Sequence, residues 1–442
     1  MPEEIKHVEV RPSALALLPF LVFAAFYLGL SVWANDFYRV PMILAFLVAS
    51  AVSLALGRRE PLEVKIDRFA LGMGEGNIMV MCLIFVLAGA FAAVAKGSGA
   101  VDAAVSLACA VVPARMIVAG VFLISCLISL AIGTSCGTIT AVVPIAVGFA
   151  GALGLSPALL TGAAVGGAMF GDNLSMISDT TIAATRTQGV AMRDKFFANV
   201  KIAAPAALVA LALYAVSGAP SGAVPPAAVT GEAALLVLPY ALILVLALLG
   251  LNVMMLLFVG TVASAAIGIA LGRFGLLDSM DVFGKGVLEM SETLIVAILA
   301  GGLFQSVRFN GGILWLTTRI ERLVRGPKTC EFGVFLLVSL VNLFTANNTV
   351  AIVIAGPIAR VCANRFGAKP TRIASVLDTA SCVVQGLIPY GAQVLIAISL
   401  AKTAGAEVRF GDLLASSYYQ PLLALAVFVA LVSLRRSGGS KT

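Results

Sequence analysis

The stretch GDNLSMISDTT, residues 171–181, decides the fold class of this chain. It places Asp172 and Asp179 inside a segment that otherwise has the composition of an apolar membrane helix. An ionised carboxylate at the centre of a bilayer costs about 2.5 to 3.5 kcal/mol on insertion scales. The stretch therefore predicts a membrane helix that is broken at its polar residues.

The composition of the rest of the chain places it in a lipid bilayer. Of 442 residues, 60% are hydrophobic and 12% are charged, and the mean hydropathy is +1.06. Apolar runs of about 20 residues, the length that spans a bilayer, recur from Ser13 to Arg436. We therefore expect an all-α polytopic membrane protein. The net charge of +7 does not indicate nucleic-acid binding, because the basic residues lie in short segments between apolar runs.

Several sequence landmarks recur at an almost constant offset of nearly half the chain, which is typical of a duplicated transporter. The longest pair is PIAVGFAGALGLSP (144–157) and PIARVCANRFGAKP (357–370), with both prolines in register. This pattern predicts five regions: a cytoplasmic N-terminal tail (1–12), a first inverted repeat (13–217), an extracytoplasmic linker (218–231), a second inverted repeat (232–434) and a cytoplasmic C-terminal tail (435–442).

Each repeat is predicted to contain five spans and one re-entrant hairpin. The spans are 13–34, 39–57, 76–95, 157–190 and 196–217, then 232–250, 253–272, 288–307, 371–402 and 413–434. The hairpins are 113–152 and 331–363; if each were instead two crossings, the orientation would be the same. This topology puts 22 of the 29 Lys and Arg residues, including Lys195, on the cytoplasmic side of the cell (inner) membrane.

The break at 171–181 has the chemistry of a cation site. Helix ends expose backbone carbonyls, which together with acidic and hydroxyl side chains suit a hard cation such as Na⁺. A carboxylate in such a site can hold either a proton or a metal ion. Helix capping at the membrane surface is the alternative interpretation. The candidate cation and proton ligands are Asp172, Asn173, Ser175, Ser178, Asp179 and Thr180, with Na⁺ expected at Asp172 and Asp179.

The second repeat carries a matching polar break without an acid. In VQGLIPYGAQV (384–394), Gln385 corresponds to Asp172 and Gln393 lies near the position of Asp179. The hairpin tips, GTSCGT (133–138) and TANNT (345–349), are also polar, and their alternative is a plain interfacial turn. The candidate substrate-binding residues are Ser135, Thr138, Asn347, Asn348, Thr349, Gln385, Tyr390 and Gln393. Asp378, an acid that apolar residues surround shortly before this break, is a further candidate for proton or cation handling; its alternative is a local hydrogen bond between helices.

GDNLSMISDTT resembles the GD-x-x-S-x-x-SDTT signature of NhaC-type sodium/proton antiporters, which belong to the ion transporter superfamily. TANNTVAIV and ASVLDTASCVVQGLIPYGAQ are similar to that family as well, so the resemblance spans roughly residues 70 to 400. It implies a scaffold domain, a transport domain, elevator-like movement between them and a homodimer. It assigns the cation site to Asp172, Ser175, Ser178, Asp179 and Thr180, supported by Asn347, Asn348 and Asp378. Met176 departs from the signature, which often has proline there.

The sequence is compatible with two functions. The first is Na⁺/H⁺ antiport, favoured by the paired acids and by the absence of a predicted intramembrane Lys or Arg that would bind a carboxylate. The second is a sodium- or proton-coupled carrier of a small organic acid or amino acid, with the amide-rich hairpin tips as its anion site. We expect Na⁺ and H⁺ as the transported ions, and we expect no cofactor. No constellation of nucleophile and base indicates an enzyme.

Overall fold

The protein is a helical bundle in which helix length and helix breaks position the candidate site. The computed structural model describes residues 11–33, 40–56, 60–176, 178–218, 231–249 and 251–433. These residues form 21 α-helices and two 3₁₀ turns, without any strand. The predicted tails and linker fall almost entirely outside the described residues.

The first half of the chain contains ten helices. They are α1 (Leu18–Trp33), α2 (Met42–Ala55), α3 (Leu62–Met73), α4 (Gly76–Ser98), α5 (Ala100–Val111), α6 (Ile117–Ile132), α7 (Ser135–Leu153), α8 (Pro157–Leu174), α9 (Asp179–Gln188) and α10 (Met192–Ser217). The 3₁₀ turns are Leu15–Leu17 and Ala114–Met116.

The second half contains eleven helices. They are α11 (Gly231–Leu248), α12 (Val253–Ala270), α13 (Leu276–Glu289), α14 (Ser291–Phe309), α15 (Gly312–Leu323), α16 (Pro327–Thr345), α17 (Asn348–Phe366), α18 (Pro370–Gln385), α19 (Ala392–Thr403), α20 (Phe410–Ser416) and α21 (Tyr419–Ser433).

The order of the helices in the first half recurs in the second. The hairpin α6–α7 corresponds to α16–α17, and the interrupted pair α8–α9 corresponds to α18–α19. Pro157 and Pro370 each lie in the first turn of the helix that precedes a break. Proline has no backbone N–H, but an N–H in the first turn would have no partner within the helix, so proline is tolerated there. The order therefore repeats, while the inversion of one half relative to the other stays a prediction.

Hydrogen bonds between helices recur at corresponding positions of the two halves. The hydroxyl of Ser129 on α6 donates to the carbonyl of Ala168 on α8 over 2.6 Å. The side-chain amide of Asn342 on α16 donates to the carbonyl of Ser381 on α18 over 2.8 Å. The separation of donor and acceptor along the chain is the same in both bonds. In each half, the first helix of the hairpin is therefore hydrogen-bonded at the same place to the helix that precedes the break.

Two short amphipathic helices, α3 and α13, connect the halves at glycine contacts. Gly72 on α3 meets the backbone of Gly301 on α14, and Gly286 on α13 meets the backbone of Gly89 on α4. At each contact an added Cβ would collide with a carbonyl of the facing helix. The backbones can therefore approach this closely only because glycine occupies both sides, as at other contacts between membrane helices.

Eight helices in the described part of the chain are long and apolar enough to cross a membrane, or nine if the bent pair Phe410–Ser416 and Tyr419–Val432 forms one span. The hairpin helices α6, α7, α16 and α17 are among the eight. Several helices that were predicted as spans, α1, α2 and α11, have apolar stretches shorter than this criterion. The membrane location of the chain follows from these helices together.

Candidate functional site

Both predicted breaks are present in the structure. Helix α8 ends at Leu174 and α9 begins at Asp179, and the first and last residues of the gap, Ser175 and Ser178, have extended backbones. The second break lies between α18 and α19 at 386–391. It contains Pro389, whose ring removes a backbone donor and disfavours helix at the residue before it. Because α8 and α18 stop at the breaks, their last carbonyls are helix-end groups, where partial negative charge accumulates.

The two breaks and the two hairpin tips meet around one cavity of about 130 Å³. A volume of this size holds several water molecules. One wall is provided by the start of α4. The lining residues are Asn77, Val80, Met81, Ile84, Gly133, Thr134, Ser135, Cys136, Asp172, Asp179, Thr180, Asn347, Asn348, Thr349, Gln385, Ala392 and Gln393.

Asp172 is the buried carboxylate of this cavity, with 5% of its surface exposed. One of its oxygens accepts a hydrogen bond from the Ser135 hydroxyl over 2.7 Å, and the other accepts one from the Ser178 hydroxyl over 2.5 Å. Ser135 in turn accepts from the amide nitrogen of Gln393 over 2.9 Å, and the Ser178 and Thr180 hydroxyls are 2.9 Å apart. The first tip, the first break and α19 are thereby joined around one negative charge.

The amides of the second half add unpaired polar atoms to the cavity wall. The amide oxygens of Gln385 and Gln393 and the amide nitrogen of Asn348 are buried without a hydrogen-bond partner, and all three residues line the cavity. The other end of Gln385 donates to the carbonyl of Ala346 over 2.8 Å. Buried polar atoms normally find partners, so this wall has the composition of a binding surface.

The remaining tip residues are held by local bonds. Asn347 caps α17 by accepting from the amide of Val350 over 3.0 Å, and Asn348 accepts from the amide of Thr349 over 3.1 Å. Asp179 lies in the first turn of α9 with an exposed side chain, at the edge of the cavity.

Some predicted ligands lie away from the cavity. Thr138 is one turn inside α7 and donates to the carbonyl of Thr134 over 3.0 Å. Tyr390 donates to the carbonyl of Leu343 over 2.7 Å, and its ring packs edge-on against Phe23 and Phe46. The Thr138 hydroxyl therefore bonds at the start of its own helix, and the Tyr390 side chain takes part in packing between helices.

Asp378 belongs to a second polar cluster next to the cavity. Its carboxylate pairs with the ammonium of Lys195, and both side chains are buried. Lys195 also donates to the carbonyl of Asn173 over 2.8 Å. The amide of Asn199 donates to Asp378 over 3.0 Å and to the side-chain oxygen of Asn173 over 3.2 Å.

The position of Lys195 corrects the sequence analysis, which placed it among the cytoplasmic basic residues. Its side chain is 1% exposed. Burial of a lysine ammonium requires a paired charge and further hydrogen bonds, and Asp378 and the end of α8 supply them. The expectation that this region lacks a buried basic residue was therefore wrong.

Sequence reasoning also missed Asn77, Thr134 and Asn199. Thr134 lies inside the tip GTSCGT, and the selection of Ser135 and Thr138 from the same tip could have drawn attention to it. Asn77 follows the N-cap Glu75 and looks like ordinary helix-start composition. Asn199 is one helical turn after Lys195, and that spacing on a span is the signal that could have revealed the pair.

The family model described as the Na⁺/H⁺ antiporter family matches residues 13–218 and 222–427 of this chain. Among curated proteins, the malate-2H⁺/Na⁺-lactate antiporter of Bacillus subtilis (strain 168) is 28% identical over 204 residues, which are 46% of this chain and 43% of the relative. The Na⁺/H⁺ antiporter NhaC of Alkalihalophilus pseudofirmus is 26% identical over 182 residues, 41% of this chain and 38% of that protein. The chain thus aligns with about two fifths of each relative's length.

Two solved structures also resemble the protein. The Alcanivorax borkumensis YdaH transporter gives a TM-score of 0.46 at 16% identity, with 95% of this chain and 98% of that chain covered. Neisseria gonorrhoeae MtrF gives a TM-score of 0.44 at 14% identity, with 96% and 95% covered. The family match covers both halves of the sequence and both breaks described above, so the chain belongs to the Na⁺/H⁺ antiporter family.

Proposed function

We propose that this protein is a secondary transporter that exchanges Na⁺ for H⁺ by alternating access. The observation that carries the proposal is the buried Asp172 carboxylate, held by two serine hydroxyls in the cavity where both breaks and both tips meet. A proton and a sodium ion would compete for this carboxylate, because each neutralises the same charge. Competition for one site that is exposed alternately to the two sides produces obligatory exchange.

The ligands around Asp172 suit a small hard cation. A serine hydroxyl that donates its proton to the carboxylate keeps its oxygen lone pairs for a cation; on Ser135 one of them already accepts from Gln393. The unpaired amide oxygens of Gln385 and Gln393 add neutral oxygen ligands on the same wall. Carboxylate, hydroxyl and amide oxygens are the ligand types that hard cations select.

We also propose the topology in which the start of α4 faces the cytoplasm and both termini are cytoplasmic in the inner membrane. The distribution of basic residues supports this orientation, because 21 of the 28 Lys and Arg residues other than Lys195 lie on its cytoplasmic side. Asn77 at the start of α4 lines the cavity, so in this orientation the cavity faces the cytoplasm. The division into inverted repeats and the homodimer remain part of the proposal.

A carrier of small organic acids is the second candidate. Helices α7 and α17 begin at Ser135 and Asn348, so their N-termini, which favour anions, lie at the cavity. The unpaired amide nitrogen of Asn348 is a donor for a carboxylate. The B. subtilis relative is named as a malate-2H⁺/Na⁺-lactate antiporter. Against this candidate, the described residues that line the cavity include no Lys or Arg.

Proton flux in proteoliposomes separates the two candidates. A sodium jump is applied to vesicles with an internal pH dye, with and without malate or lactate. We expect sodium alone to drive proton movement, Asp172→Asn to reduce it to the level of empty vesicles, and Asp281→Asn, which changes an exposed acid on α13, to leave it intact. A strict requirement for an organic acid would reject Na⁺/H⁺ exchange and support the second candidate.

A further inference from the structure

The ammonium of Lys195 is enclosed by oxygens from three other helices. Lys195 extends from α10 to the carboxylate of Asp378 on α18. It donates to the backbone carbonyl of Asn173 on α8 over 2.8 Å and to the hydroxyl of Thr181 on α9 over 2.6 Å. The exposed fractions of these side chains are 1% or less. One buried positive charge therefore bridges the two halves of the broken helix.

The oxygens around this ammonium are those of a cation cage. The carbonyl of Asn173 lies in the last turn of α8, where the helix dipole places partial negative charge. Carboxylate, helix-end carbonyl and hydroxyl together are the oxygen set by which broken membrane helices coordinate sodium. The second carboxylate oxygen of Asp378 is buried without a hydrogen-bond partner.

The cage is also held by a residue that does not carry charge. Asn199 lies one helical turn after Lys195, on the same face of α10. Its amide donates to Asp378 over 3.0 Å and to the carbonyl of Asn173 over 3.2 Å. Two of the three ligands of the ammonium are thus positioned by a neutral neighbour, and their arrangement does not depend on the lysine alone.

We propose that Asp378, Asn173 and Thr181 form a second cation site whose permanent occupant is the tethered ammonium of Lys195. The lysine neutralises Asp378 whether Asp172 holds a proton or a sodium ion, and it excludes sodium from the second site. Asp172, one residue before Asn173, is then the only buried carboxylate at the break that exchanges its cation. This consequence for exchange rests on the proposed function, whereas the assignment of the second site rests on the contacts of Lys195.

Removal of the ammonium should convert the cage into a sodium site. Lys195→Met keeps an unbranched side chain and removes the charge, so Asp378 requires another cation. A ligand that binds only the folded state raises its stability with concentration. We therefore expect the unfolding temperature of Lys195→Met to rise with Na⁺ more steeply than that of the unmodified protein, at constant ionic strength set with choline chloride. Lys285→Met, at an exposed lysine on α13, should leave the sodium dependence unchanged.

Equilibrium binding of radioactive sodium to the purified full chain gives the number of Na⁺ ions bound per chain. We expect one additional Na⁺ per chain in Lys195→Met and its loss in Lys195→Met/Asp378→Asn. The same additional Na⁺ should appear when Lys195→Met is combined with Asp172→Asn, so this test does not depend on the site proposed for exchange. Sodium binding that survives Asp172→Asn alone would contradict the proposed function and would leave the assignment of the cage intact. The assignment would be overturned if Lys195→Met bound no additional sodium. It would also be overturned if Lys195→Met failed to fold at every sodium concentration while the double variant folded.

Discussion

Gly133 and Ala346 occupy the same place in the two helical hairpins and share a left-handed backbone. Gly133 directly follows α6 as its C-cap with a φ of 75°, and Ala346, at the corresponding position of the second half, directly follows α16 with a φ of 50°. Ala346 is the only non-glycine residue with positive φ among those described. For an L-residue this conformation costs about 1 to 2 kcal/mol. Its carbonyl accepts the bond from Gln385, so the second tip combines an unfavourable backbone with a contact to the second break.

Ala346→Gly should relieve that backbone cost. We expect the free energy of unfolding to rise by about 1 kcal/mol, because glycine adopts positive φ without steric cost although it loses more chain entropy on folding. The reciprocal change Gly133→Ala should lower it by about the same amount. Urea titration in detergent micelles measures both. A loss of stability in Ala346→Gly would show that the methyl group of Ala346 contributes more through packing than its backbone costs.

The hydroxyls of Ser135 and Ser178 should set the affinity for sodium. Each donates to a different oxygen of Asp172, and a hydrogen bond to a charged group contributes about 1.5 to 3 kcal/mol. We expect Ser135→Ala and Ser178→Ala each to raise the half-saturating sodium concentration by roughly tenfold or more, with exchange retained because the carboxylate remains. Sodium-dependent proton flux at several Na⁺ concentrations gives this value.

The control for the serine variants is Thr318→Ala, whose hydroxyl donates within the exposed face of α15. It should leave the half-saturating concentration unchanged. If Ser135→Ala and Ser178→Ala behave like Thr318→Ala, the hydroxyls only stabilise the fold around Asp172 and sodium binds elsewhere.

The glycine contact between α4 and α13 should be sensitive to a single methyl group. An added Cβ at Gly286 meets the backbone of Gly89 and the side chain of Ala93, and overpacking of this kind costs about 1 to 3 kcal/mol. We expect Gly286→Ala to lower the unfolding temperature in a thermal scan. Gly284→Ala, slightly earlier on the same helix, meets nothing within 4 Å and should be neutral or stabilising because alanine favours helix. Equal behaviour of the two variants would contradict close packing at Gly286.

The sequence predicted the breaks and tips well because their signal is local. Polar residues, glycine and proline inside apolar segments mark them, and the recurring landmarks aligned one half with the other. The helices α3 and α13 were not predicted, since both are amphipathic and lie in charged stretches between the predicted spans. Their role depends on the contacts Gly72–Gly301 and Gly89–Gly286, which no local pattern reveals.

The ion pair of Lys195 escaped prediction for a related reason. A lysine near the start of a span is ordinarily a flanking residue that indicates orientation. Its partner Asp378 stands in the other half of the sequence, and their proximity arises only when α10 packs beside α18. Asp378 was selected as an acid within apolar sequence, and it is buried in the structure, but the chain alone could not show which residue neutralises it.

Asp179 should assist the approach of sodium rather than hold it as tightly as Asp172. Its side chain is exposed at the start of α9, whereas that of Asp172 is buried, and exposed charges attract ions in a way that salt screens over about 10 Å at 0.1 M. We expect Asp179→Asn to raise the half-saturating sodium concentration several-fold at low ionic strength, and we expect this difference to shrink when choline chloride is added. Asp172→Asn should abolish exchange at any ionic strength, since it removes the buried charge itself. Complete loss of exchange in Asp179→Asn, unaffected by salt, would show instead that both carboxylates bind the transported ion directly.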